Sequence, residues 1–284
     1  MNLGSADPAS PNFAIAFFCP RWGAEDSWDD FCQRVKAAGY DGVEYAMPID
    51  EAEKEEARAA LQKHGLQFIG QYYQSFETDV AENAKNYERH IRNQLTMDPI
   101  FINCQTGKDW FDFAQNKVIF ETAFRIAEET GVKIIHETHR GKSLFAAHVA
   151  KRYLEQLPQI RLALDISHWC NVHESLLEDQ TEAVQLAIAH TDHIHSRVGF
   201  SEGPQVNDPR VPEWADTLNV HLGWWDQVVE LHRLADKPLT ITTEFGPAPY
   251  MPLLPNSQEP VANQFEVNVF MLNLLKKRYA TQKN

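Results

Sequence analysis

Eight short apolar runs recur along this chain, and each is followed by a segment of helical period before the next begins. The runs are 13–18 (FAIAFF), 42–46 (GVEYA), 66–72 (LQFIGQY), 100–104 (IFINC), 132–137 (VKIIHE), 161–166 (RLALDI), 190–196 (HTDHIHS) and 238–244 (PLTITTE). Hairpins need only a few turn residues between strands, whereas parallel strands need crossovers long enough for a helix. The alternation therefore predicts a parallel sheet. Eight repeats predict an α/β fold of the (β/α)8 TIM-barrel type, one domain over 1–284, and such barrels typically take ~250 residues.

Helices are predicted near 28–38, 51–64, 79–95, 110–130, 144–156, 174–188, 224–236 and 261–279. Ser27 with Asp30 three residues on is a capping-box variant, while Gly39, Gly65 and Gly131 read as C-terminal stops, as does Pro238. Residues 1–12 read as a flexible N-terminal segment. The stretch 197–222, rich in Gly, Pro and charge, reads as a long active-site loop after the seventh strand. That position is on the C-terminal face, where barrel enzymes work.

Composition narrows the partners. The chain carries 40 acidic against 26 basic residues, a net charge of −14, which repels phosphate backbones and argues against nucleic acid. No run is long and apolar enough for a membrane span, and Phe13–Cys19 lacks the basic flank and cleavage site of a signal peptide. Cys19, Cys32, Cys104 and Cys170 form no CxxC pair and read as free thiols of a reducing compartment, hence a cytoplasmic protein. Lys108, Arg140, Lys142, Arg197 and Arg210 near strand ends leave a phosphorylated small substrate open. So is a homodimer.

The chemistry lies at the ends of the last four strands. Glu137, Asp165, His195 and Glu244 each close an apolar run and precede polar or Gly/Pro-rich sequence. Side chains alternate along a strand. If these four point into the barrel, Ile135 lies below Glu137, Ala163 below Asp165, His193 below His195 and Thr242 below Glu244, leaving room for a metal layer. Three carboxylates and one imidazole suit a divalent cation, Mn2+ first, with Mg2+, Co2+ or Zn2+ as alternatives. Such an ion grips a sugar carbonyl and a neighbouring hydroxyl, while a glutamate at its edge serves as base. His139 shares the parity of Glu137 and overhangs the mouth, whereas His136 faces the helices. His168, Arg197, Glu44, Gln71, Gln105, Trp22 and Arg210 are the candidates for substrate contact, with Phe18, Trp110 and Trp169 as further aromatic wall.

With these residues placed, the chain resembles the xylose isomerase-like barrels, the sugar phosphate isomerase/epimerase superfamily. Its quartet is similar to the metal ligands of the ketohexose 3-epimerases, as are the D-x-x-H of Asp165–His168 and the H-x-H of His193–His195. The resemblance implies that Glu137 and Glu244 also exchange the substrate proton, and that His168 touches the substrate. In those epimerases a Glu and an Arg stand where this chain has Val198 and Ser201, and Arg197 comes early; HETHRGK around Glu137 also departs. These departures mark a distinct branch.

Four activities follow as expectations. The first is a metal-dependent isomerase or epimerase of a sugar or polyol. The second is a lyase of the same superfamily, resembling inosose dehydratases or the enzymes that eliminate the aglycone from 3-keto-glycosides, with His139 as acid. A phosphodiesterase resembling the AP-endonuclease branch is disfavoured by charge and ligand count. A non-catalytic sugar-binding barrel is the remaining alternative.

Overall fold

The computed structural model describes residues 12–280. Residues 1–11 of the predicted N-terminal segment lie outside the described residues. Asn12 is held at the barrel's base, its backbone and side-chain amides donating to Asp236 at 3.0 and 2.9 Å.

Eight parallel strands close into one barrel among the described residues, in chain order: β1 (Ile15–Pro20), β2 (Gly42–Tyr45), β3 (Gln67–Tyr72), β4 (Ile102–Cys104), β5 (Ile134–Glu137), β6 (Leu162–Leu164), β7 (Thr191–His195) and β8 (Leu239–Thr242). The ring closes where β1 pairs with β8, Ile15 opposite Leu239 and Phe18 opposite Thr242. Helices fill the crossovers: α1 (Trp28–Ala38), α2 (Glu51–His64), α3 (Val80–Leu95), α4 (Phe113–Thr130), α5 (Ala147–Gln156), α6 (Ser167–Val172), α7 (Thr181–His190), α8 (Ala215–Leu234) and α9 (Gln264–Ala280). No helix among the described residues is long and apolar enough to cross a membrane. The four cysteines are free and buried.

Local chemistry sets the helix ends. Ser27 caps α1 by accepting from the Asp30 amide, but its hydroxyl donates to the Asp30 carboxylate, so the reciprocal arm runs between side chains. The full capping box is at α4, between Asp112 and Gln115. Gly39, Gly65 and Gly131 all take the left-handed conformation that ends a helix.

Two boundaries differ from the pattern-based expectation. The segment predicted at 174–188 becomes helical only at Thr181, because Glu174 and Leu177 hold positive φ angles of 49° and 63°. The loop predicted over 197–222 is shorter, since a 3-10 turn over Pro212–Trp214 leads into α8 at Ala215. Proline suits the first position of such a turn, and Gly223 inside α8 costs only about 1 kcal/mol. Periodicity also missed the short α6, which directly follows Asp165.

The barrel interior is layered. Phe18, Ile69, Phe101 and Ile135, with Ala163, form an apolar floor inside the ring, and the next inward positions up the strands carry the polar groups described below. The opposite strand faces pack under the helices in the larger outer core, where Val43, Phe68, Leu164, Ile194 and Ile241 lie. Gly42 is required by the floor: a Cβ there would overlap the Phe18 ring and lie 2.5 Å from the Gln67 carbonyl oxygen. Gly42→Ala should cost about 1–3 kcal/mol of stability through overpacking. Equilibrium denaturation reads that loss, and an unchanged midpoint would show the floor to be loosely packed.

Candidate metal centre and active site

Strand parity delivers the polar layer. Glu137 stands above Ile135, Asp165 above Ala163, His195 above His193, and Glu244 above Thr242. Donor atoms of Glu137, Asp165, His195 and Glu244 lie within 4.8 Å of one another, and all four residues are buried. Their immediate partners come from other strands. Asn103 Nδ2 donates to Glu137 at 3.0 Å, and Gln105 Nε2 donates to the other Glu137 oxygen at 3.2 Å. Gln71 Nε2 reaches Glu244 at 3.4 Å. Ser167, opening α6, donates both its amide and hydroxyl to Asp165 Oδ1.

His195 is oriented from below. Its Nε2 lies 3.1 Å from Glu44 Oε1, which fixes the proton on Nε2 and turns Nδ1 toward the carboxylates. Nδ1 lies 2.6 Å from Glu244 Oε2, yet neither atom has a properly directed hydrogen-bond partner. Two orphaned polar atoms facing each other in a buried carboxylate nest are poor hydrogen-bonding design and good ligand design. The donor set therefore fits a divalent cation.

Electrostatics points the same way. Burial pushes the Glu137 carboxyl up to about 8, with Glu244 adding to the rise. Asp165 is also raised by burial, against the pull of Arg197. Burial disfavours charge on Glu244 too, but His195 and Arg197 prevail and hold it below the usual range. Burial likewise opposes charge on His195, yet Glu244, Glu44 and Glu137 together hold it well above its ordinary value. Protons thus occupy positions that a dication would fill.

The nest lies beneath a cavity of about 410 Å³ and reaches its lining through Glu244. Trp22, Gln71, Gln105, His139, Arg197, Glu244 and Tyr250 contribute to its lining. His139 hangs over the mouth, its Nδ1 donating to the Arg140 carbonyl at 2.6 Å. Its ring lies 3.9 Å from that of His168, and burial keeps both imidazoles well below their ordinary pKa, hence neutral. Arg197 is buried among Asp165, Glu244 and His168.

Other expected contacts lie elsewhere. Glu44 is 2% exposed, beneath the nest, and bonds His193, His195 and Asn103 rather than facing the cavity. Its role as a hydroxyl binder is replaced by that of an orienting carboxylate, because its strand end sits one layer lower. Arg210 does not line the cavity; it pairs with Asp208 at 2.7 Å. His168 is fully buried behind Arg197. Phe18 belongs to the floor, Trp169 is buried with its indole donating to the Leu144 carbonyl, and Trp110 is exposed. His136 faces the helices, packing on Phe120 and Phe124, with its pKa pushed down to about 3 by burial.

Three site residues escaped the sequence reading, one of them Tyr73, which follows β3 and lines the cavity. Asn103 shares the parity of Gln105 and was legible by the same rule. Tyr250, in the loop after β8, sits 3.5 Å from His139 Nε2 and under the Arg197 guanidinium, with Trp22 against its edge. No periodic signal marks it.

The model of the xylose isomerase-like TIM barrel family matches residues 32–197, more than half of the chain. The chain belongs to that family. Among solved structures this family member is similar to the 3-keto-D-glucoside 4-epimerase of E. coli, at 14% identity and a TM-score of 0.60, covering 93% of this chain and 100% of that one. It is similar to a probable 3-DHS dehydratase of petrobactin synthesis from Bacillus anthracis, at 15% identity and 0.58, covering 93% and 99%. A sugar phosphate isomerase/epimerase from Parabacteroides distasonis aligns at 11% identity and 0.60, covering 97% and 96%. At these identities the likeness shows the fold. No curated protein sequence gives a significant match.

Two outcomes follow for the centre. Glu44→Gln should lower divalent-cation affinity about 10–100-fold by freeing the His195 tautomer. Mn2+ titration reads this against an unchanged circular dichroism spectrum, and undiminished affinity would remove Glu44 from the site. Cation binding must also displace protons from His195 and from Glu137, whose carboxyl titrates at about 8. Affinity should therefore rise with pH from neutrality through that value. Calorimetry in buffers of different ionisation enthalpy measures the protons released, and none released would sink the assignment.

Proposed function

We propose that the protein is a divalent-metal-dependent isomerase or epimerase of a sugar or sugar derivative, working by proton transfer beside a carbonyl. The observation that carries this reading is the pair of glutamates, Glu137 and Glu244, set into one buried ligand nest that meets the cavity at Glu244. Two carboxylates in one nest can take a proton from a substrate carbon and return one to it. A divalent cation held by Glu137, Asp165, His195 and Glu244, with Mn2+ the best match to that donor set, would polarise a substrate carbonyl and stabilise the enediolate.

The chain's own groups do the rest. Glu244, which lines the cavity, takes the proton from the carbon next to the carbonyl. Glu137, once it has regained a proton in the substrate complex, returns it to the same carbon from the other side, which inverts that carbon. Glu244 handing its own proton to the neighbouring carbon isomerises the substrate instead. Gln71 and Gln105 each hold one oxygen of their glutamate, fixing the direction in which the carboxylate presents its lone pair. Trp22, Tyr73 and Tyr250 wall the cavity against water.

A lyase is the second reading, favoured by the His139–Tyr250 pair. His139 donates through Nδ1 to a backbone carbonyl, so its Nε2 carries a lone pair that the Tyr250 hydroxyl can meet. A hydroxyl so placed at the cavity wall could protonate a departing oxygen after the same first step.

Incubation with keto sugars and Mn2+ in deuterated water separates the readings. The isomerase reading expects deuterium at the carbon beside the carbonyl together with an isomeric product. Net loss of water or an aglycone transfers the assignment to the lyase. Sugar bound without exchange, across the panel, leaves a binding protein. In the enzyme, Glu244→Gln should slow exchange by about 100-fold or more.

A further inference from the structure

Three groups of ligand atoms cluster inside the barrel among the described residues, one of them Glu44, His193 and His195, and the other two overlap beneath the cavity. One is Glu137, Asp165, His195 and Glu244; the other is Glu137, His139 and His168, and the atoms of each lie within 4.8 Å of one another. Glu137 belongs to both. The floor thus has donors for two cations side by side. Between the nests lies one guanidinium: Arg197 Nη2 donates to Asp165 Oδ2, lies 3.3 Å from Glu244 Oε2 and donates to His168 Nε2 at 2.9 Å. Its acceptors come from both groups.

We propose that Arg197 is a built-in cation filling the second cation position of this centre, so that the protein holds one metal ion where its donor set could hold two. The proposal rests on the metal reading of the first nest. Arginine is suited to the task because it stays charged in any protein environment and cannot be chelated away. Here it is also fixed: its side chain is 2% exposed, Nε reaches Ser167 Oγ at 3.3 Å, and the Tyr250 ring lies 4.8 Å from Cζ.

Hydrogen-bond chemistry closes the second nest. Arginine has no lone pair, so His168 Nε2 must be the acceptor, and the ring proton sits on Nδ1. The Nε2 lone pair is then spent on the guanidinium. Charge follows the same logic. Glu44, Glu137, Asp165 and Glu244 offer up to four negative charges in one buried space; a dication and a guanidinium supply three, and the donors Asn103, Thr242, Gln71 and Gln105 share the remainder. Arg197 Nη1, meanwhile, has no hydrogen-bond partner in the protein, and Arg197 lines the cavity. That N–H can take a substrate oxygen in the place where a second metal ion would have offered a coordination position.

Mn2+ titration with electron paramagnetic resonance tests this on the whole chain. The wild type should bind about one Mn2+ with an uncoupled spectrum even in excess metal. Arg197→Met, which removes the charge and keeps the length, should gain a second Mn2+ or bind the first about tenfold tighter. Arg197→Lys should stay at one. A wild type with two exchange-coupled Mn2+ ions overturns the proposal whether or not the variants fold. So does Arg197→Met holding one ion at unchanged or weaker affinity. No Mn2+ on the wild type would instead defeat the metal reading itself, and this proposal with it.

Discussion

The structure turns on the crowding of Glu44, Glu137, Asp165 and Glu244 into one dry space. Moving carboxylates out of water costs several kcal/mol apiece unless opposite charge and hydrogen bonds replace the hydration. Here the replacement is spread around the ring. Asn103 bridges Glu44 and Glu137, Ser167 holds Asp165, Thr242 donates to Glu44, and His195 and Arg197 lie among the acids as cations. The small Ala163 and the rigid Ile135 and Phe101 beneath them set the height of that layer. A looser floor would let the acids move apart, and separation in a low-dielectric interior would weaken the very contacts that make their burial tolerable.

The sequence revealed this centre to the extent that it depends on single strands. Eight apolar runs specify seven crossovers, and period two decides which end residues face inward, so Glu137, Asp165, His195 and Glu244 could be grouped from the sequence. What parity cannot supply is height and partner. Glu44 and His195 are 151 residues apart in the chain, and their contact exists because barrel closure fixes how far each strand is staggered against the next. From sequence, Glu44 reads as a rim residue; in the ring it lies below the mouth. Asn103 was within reach of the parity rule. Tyr250 was not, since its position depends on how one irregular loop folds back over the mouth. The late start of α7 has the same origin, because left-handed residues such as Glu174 and Leu177 carry no periodic mark.

Floor and wall divide the chemistry between them. The floor is built from strand ends that alternate polar and apolar residues under tight packing, and in the proposed reaction it is where a proton is taken and returned. The wall is built from loops: Trp22 after β1, Tyr73 after β3, His139 after β5 and Tyr250 after β8. Loop residues change without disturbing the ring, which is how one barrel serves many reactions. An epimerase and a dehydratase can share the opening proton transfer, and they part at what happens to the oxygen on the next carbon. That oxygen would face the wall.

His139 and Arg197 decide the matter together because they are tied through His168. Arg197 takes the lone pair of His168 Nε2, and the His168 ring packs against His139 at 3.9 Å, so the three groups form a column beside the ligand nest. A positive end next to two neutral imidazoles favours negative charge developing on a substrate oxygen at the column's open side. Burial, and after it the nearby charge of Arg197, keeps His139 from taking up a proton. An acid in this column is then more economically supplied by the Tyr250 hydroxyl than by an imidazolium. In the proposed reaction the barrel would thus place its proton donors on two levels, carboxyls on the floor and a phenol at the wall, with the Arg197 guanidinium between Glu244 and the Tyr250 ring.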